Sequence, residues 1–165
     1  MITRSAKILL LAGIALFYTL IVFNNLTDFD SNYEFVRHVL SMDTTFPGNH
    51  GMWRALPRTG FHLAFYIGII AWESANTILL WWGVMRLVRN LKLPAREFNR
   101  AKGLPIMALA LSMSMWLVAF LTVGAEWFLM WQSHIWNGQE AAFRMFAVVG
   151  IVLLIVMQAD TDTQP

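Results

Sequence analysis

FHLAFYIGIIAWESANTILLWWGVM, Phe61 to Met85, contains one acid, Glu73, and no lysine or arginine. A helix rises about 1.5 Å per residue and the hydrocarbon core of a bilayer is about 30 Å thick, so about 20 apolar residues span it. The stretch predicts a transmembrane helix over 61–85, long enough to tilt.

Outward from it, three more apolar runs stand out, at residues 8–24, 104–130 and 141–157. The chain is 58% apolar and only 13% charged, where a soluble domain carries about a quarter charged residues. We therefore expect an all-α fold, a single transmembrane four-helix bundle over residues 1–165. Arg4 and Lys7 precede the first run as in a secretory signal, but no small-x-small cleavage site follows, so this span reads as a retained anchor.

The basic loop 86–103 holds Arg86, Arg89, Lys92, Arg96, Arg100 and Lys102 against the single acid Glu97. A positive excess stays cytoplasmic, which places both termini on that side and loop 25–60 on the other. A multi-pass membrane protein is expected. The loop lacks the folded presenting element or interleaved aromatics that a nucleic-acid surface needs. Topology and anionic headgroups account for its charge, and no nucleic acid is expected.

Loop 25–60 has no cysteine to staple it. Ser31 and Glu34 match a capping box, and Phe35, Val36, Val39, Leu40 and Met42 recur at helical spacing. These residues predict a short amphipathic helix ending near Asp43, its apolar face packed over the mouth of the bundle. Phe35, Val39, Met42 and Trp53, with Trp131 and Trp136 of the second external turn, are the candidates for docking a partner.

The segments FVRHVLSMDTTFP, WRAL, AWESANTILLWWG and GAEWFLMWQSHIWNGQEAAFR are long and unusual. With them the chain resembles an uncharacterised bacterial family of predicted small integral membrane proteins, a domain of unknown function. That resemblance implies a four-span inner-membrane protein and carries no activity, substrate or cofactor.

Polar groups inside the second run mark the interior. At about 100° per residue, His62, Tyr66, Asn76 and Thr77 all fall within about 60° of Glu73 on the helix. Lipid cannot satisfy such a stripe, so it should face other helices or a cavity. It reads either as an interhelical hydrogen-bonding seam, which is preferred, or as a proton or ion path. Donors for Glu73 are expected from Tyr18, Thr19, Ser112, Ser114 or Trp116. Glu126 and Arg144 both lie nine residues from Ile135 at the last turn, which favours an ion pair between them, beside His62; Glu73 is the competing partner for Arg144.

Chemistry beyond this is sparse. There is no GxSxG, HExxH or phosphate-binding glycine loop, and no enzyme activity is expected. His38, His50, His62 and His134 show no HxxxH or HxH spacing, so no metal site is expected; no histidine at mid-membrane depth could hold a haem, so no cofactor is expected. Two functions survive: a noncatalytic subunit or scaffold docking a membrane or extracytoplasmic partner or a second copy of itself, and conduction through an interior centred on Glu73.

Overall fold

The apolar runs become four helical spans in a computed structural model, which describes residues 1–162. They are Ile2–Thr27 (α1), Thr59–Asn90 (α3), Ala95–Trp127 and Gln139–Met157 (α6), each long and apolar enough to cross a membrane. No strand occurs among the described residues. The protein is an all-α membrane bundle.

Helix α1 outruns its apolar core at both ends, taking in Arg4 and Lys7 on one side and Asn25 on the other. It breaks at Asp28, whose backbone leaves helical space at φ −128° and ψ 61°. Helix α2 (Phe29–Ser41) starts there. The expected capping box does not form, because the helix begins two residues before Ser31 and the Ser31 hydroxyl donates to Asp28 Oδ2 at 2.8 Å. Left-handed Met42, at φ 54°, ends α2 short of Asp43. Val36, Val39 and Leu40 are buried against Tyr66, Ala125 and Phe128, so α2 caps one end of the bundle.

The third span departs most from expectation. A short helix, α4 (Ala95–Ala101), folds part of the basic loop, and α5 (Gly103–Ser114) follows it. From Met115 to Trp127 the chain then winds as a π-helix. Its bonds reach five residues back: Phe128 N–H donates to Val123 O at 3.0 Å, and Thr122 Oγ1 to Leu117 O at 2.9 Å. π geometry normally appears as a single inserted turn; here it lasts 13 residues.

Near the basic end α3 and α5 touch closely. A Cβ on Gly83 would lie 3.1 Å from Pro105 Cγ and 3.3 Å from its Cα, a close approach of the kind that glycine permits between membrane helices. Farther along, the π stretch packs chiefly on α6 and approaches α3 much less closely. The two spans diverge like a wedge. Its narrow half is filled by Leu11, Leu80, Leu87, Phe98, Leu109, Val149 and Val156, each fully buried.

The chain after α6 seals the basic end. Asp160 accepts from Lys7 Nζ at 2.8 Å and from Lys102 Nζ, while both lysines also donate to the Gln158 carbonyl at 2.6 and 2.7 Å. Asn99 clamps the Asp160 backbone from both sides, at 2.9 and 3.0 Å. Arg4 reaches Asp162 at 3.2 Å and the Leu93 carbonyl at 2.7 Å. Burial alone raises the Asp160 carboxyl, but the hydrogen bonds and charges of Lys102 and Lys7 outweigh it and hold it below the usual carboxylate range.

Candidate functional site

Glu73 is 3% exposed, in the open half of the wedge. Its Oε2 accepts from Asn25 Nδ2 at 2.7 Å. Asn25 Oδ1 in turn accepts from Asn32 Nδ2 at 2.7 Å and from the Tyr66 hydroxyl at 3.2 Å. One carboxylate oxygen thus has a neutral amide donor, and the other has no hydrogen bond among the described residues. Among the described residues no cation pairs with Glu73, and the ion pairs lie at the two ends of the bundle.

A cavity of about 280 Å³ opens beside this group. Its polar wall is Asn25, Asn32, Tyr66, Glu73 and Trp116, and its apolar wall includes Phe35, Val36, Ile69 and Phe120. The start of α6 closes the far side through Gly138, Ala141 and Ala142. A Cβ on Gly138 would lie 2.9 Å from Phe35 Cζ, so the glycine lets the cap settle on the last turn.

A second set of hydrogen bonds lies toward the basic end. Asn76 Nδ2 donates to Ser112 Oγ at 2.6 Å, Trp116 Nε1 to the Tyr18 hydroxyl at 2.9 Å, and that hydroxyl to the Ser112 carbonyl at 3.4 Å. Asn76 Oδ1 is buried without a partner. Thr77 bonds only the Glu73 carbonyl, at 2.7 Å, within its own helix. The stripe therefore divides: Tyr66 joins Glu73, Asn76 joins Ser112, and Thr77 joins neither. Of the donors expected for Glu73, none bonds it; Asn25 does.

His62 belongs to a third arrangement. Buried at 3% exposure, it donates through Nε2 to the Leu56 carbonyl at 2.6 Å, with Ser41 Oγ 3.3 Å away, and pins the approach to α3 under the end of α2. The expected pairing of Arg144 with Glu126 is not formed, nor is the alternative with Glu73: both Arg144 and Glu126 are exposed, and neither has an ion pair among the described residues. Counting residues from the turn assumed α geometry throughout. The π stretch uses more residues in each turn, which shifts both the height and the facing of Glu126.

The aromatic candidates separate by exposure. Val39 and Met42 are buried in the cap, Phe35 packs against Phe120 with ring centroids 6.3 Å apart, and Trp136 stacks on His38 at 4.5 Å. Trp53 and Trp131 remain outside, 72% and 43% exposed. Arg54 lies against the rings of Trp53 and Trp127, at 5.3 and 5.1 Å. Among the described residues no group of three or more His, Asp or Glu is placed to hold a metal ion.

Asn25 and Asn32 are the site residues that sequence reasoning missed. The apolar run stops before Asn25, which therefore reads as loop. A signal was present: Leu11, Tyr18 and Asn25 are seven apart, hence on one helical face, and all three are buried.

Residues 3–159 match the model of a family described as predicted small integral membrane protein, DUF2165. No curated protein and no solved structure matches the chain.

Proposed function

The chain belongs to the DUF2165 family of small integral membrane proteins, and from that premise we propose that it is a noncatalytic binding subunit of the bacterial inner membrane, with the cavity beside Glu73 as its receiving site. The observation that carries this is the cavity's one-sidedness. It reaches Asn32 and Gly138 at the capped end. Toward the basic end, past Asn76 and Ser112, come the fully buried Leu11, Leu80 and Leu109, and among the described residues no buried polar side chain lies between there and Lys7 and Lys102 to relay a proton or hydrate an ion. A cavity blocked toward the basic end holds a guest; a conductor needs an exit there. Conduction centred on Glu73 remains the competing reading, and this apolar block weighs against it.

The positive-inside rule sets the basic end in the cytoplasm with both termini, and the capped end outside. The exposed Trp53 and Trp131 are then the anchors left for a membrane partner or a second copy, in addition to the lipid bilayer. Arg96 in the basic loop and His134 in the last external turn are both exposed and suit cysteine labelling. We expect Arg96→Cys and His134→Cys to label from opposite sides of the membrane, and purified protein in vesicles to pass no more protons than empty vesicles. Flux above that background, abolished in Glu73→Gln, would replace the binding reading with conduction.

A further inference from the structure

We propose that the guest is an amphiphilic primary amine free of phosphate, its ammonium head seated on Glu73 and its hydrocarbon tail lying sideways between α3 and the π stretch. This rests on the reading of the cavity as a receiving site and adds the guest's chemistry and its route of entry.

The head follows from what the cavity leaves unsatisfied. Glu73 is buried with a free oxygen and no cationic neighbour, and Asn25, its one partner, is neutral. The Tyr66 hydroxyl gives its hydrogen to Asn25 and receives none. Both free positions are acceptors, and an ammonium brings three donors, no acceptor and the missing positive charge. No lysine or arginine lines the cavity, so a phosphate there would meet Glu73 without a counter-charge.

The tail follows from how the apolar spaces adjoin. A pocket of about 250 Å³ shares Phe35, Val36, Ile69 and Phe120 with the cavity. The pocket in turn shares Phe65, Ile69, Val118 and Ala119 with a groove of about 560 Å³ that also runs along Ala64, Gly68 and Trp72. Phe65 and Trp72 are 43% and 42% exposed on an apolar span, so this groove faces hydrocarbon. The divergence of α3 from the π stretch thus sets three adjoining spaces in a row from the lipid to the carboxylate, and the side entrance we propose runs along them.

The test uses the purified full-length chain in mild detergent, with thermal stability and native mass spectrometry as readouts and decylamine, decanol, decyl phosphate and methylamine as probes. Decylamine should stabilise the protein and be retained in the mass spectrum. Glu73→Gln, whose amide oxygen can still accept from Asn25, should bind it about tenfold more weakly or worse, as expected on losing a charged hydrogen bond. A Cβ at Gly68 meets nothing within 4 Å, so Gly68→Leu should fold normally, obstruct the groove and weaken decylamine severalfold while sparing methylamine. Equal binding of decanol or decyl phosphate would overturn the choice of head. Methylamine binding as tightly as decylamine, with Gly68→Leu neutral, would overturn the side entrance and leave the receiving site standing. If no probe binds and the vesicles pass protons through Glu73, both proposals fall.

Discussion

At the basic end, Asp160 is 8% exposed and meets two lysines; at the open half of the wedge, Glu73 is 3% exposed and meets one amide. The two carboxylates are comparably buried, yet only Asp160 is neutralised by the chain itself. Among the described residues, buried side-chain atoms without a partner belong to Arg54, His62 and Asn76, and none lies in the clasp formed by Lys7, Lys102 and Asp160. Burying a polar group without a partner costs free energy. The chain neutralises the buried carboxylate of its narrow half and leaves that of the open half to a single amide, which is how a binding region differs from a structural core.

The sharpest way to break this contrast is to remove Asp160. Asp160→Ala strands Lys7 and Lys102 in a buried site and should cost about 3–5 kcal/mol, read as a large drop in thermal stability. A loss comparable to that of an exposed substitution would mean the clasp is not structural. The pH dependence has a definite sign. The Asp160 carboxyl is held below its ordinary value, so its contribution is complete above the unfolded value of about 4 and fades as pH falls through the lowered folded value. The wild type should therefore lose stability on acidification below about pH 4 by a component that Asp160→Asn lacks; identical acid profiles would refute that linkage.

A pair of core truncations sharpens the comparison at smaller amplitude. Leu109→Ala removes a fully buried side chain from the filled half and should cost about 2–5 kcal/mol. Ile69→Ala enlarges a space that already exists, so it forfeits fewer contacts and should cost clearly less. Equal losses in thermal unfolding would show that the two halves are packed alike. The smallest effect belongs to Arg144. It is exposed and unpaired among the described residues, so Arg144→Leu should stay within about 0.5 kcal/mol, and adding Glu126→Leu should be additive. Rescue of a damaging Arg144→Leu by either Glu126→Leu or Glu73→Leu would restore the pairing that the geometry removes.

The spans were legible because the bilayer imposes a length on apolar runs, and the stripe on α3 was legible because helical period survives in the spacing of Tyr66, Glu73 and Asn76. What failed depends on distance along the chain or on winding. Asp160 sits in a tail of small polar residues whose meaning comes from Lys7 and Lys102, 153 and 58 positions away. The third span reads as an ordinary apolar helix, and nothing in MWLVAFLTVGAEW announces bonds to the fifth residue back. Its change of winding displaced Glu126 and opened the wedge, so the most consequential part of the site was the least visible.

The tail that closes the basic end also sets an order of assembly. Lys7 and Lys102 are made long before Asp160, and until it arrives two cations wait at the membrane surface for their shared counter-charge. Release of the nascent chain between Met157 and Asp160 leaves a bundle that has all four spans and no latch, a species that a membrane protease could distinguish from the finished protein by one exposed pair of lysines.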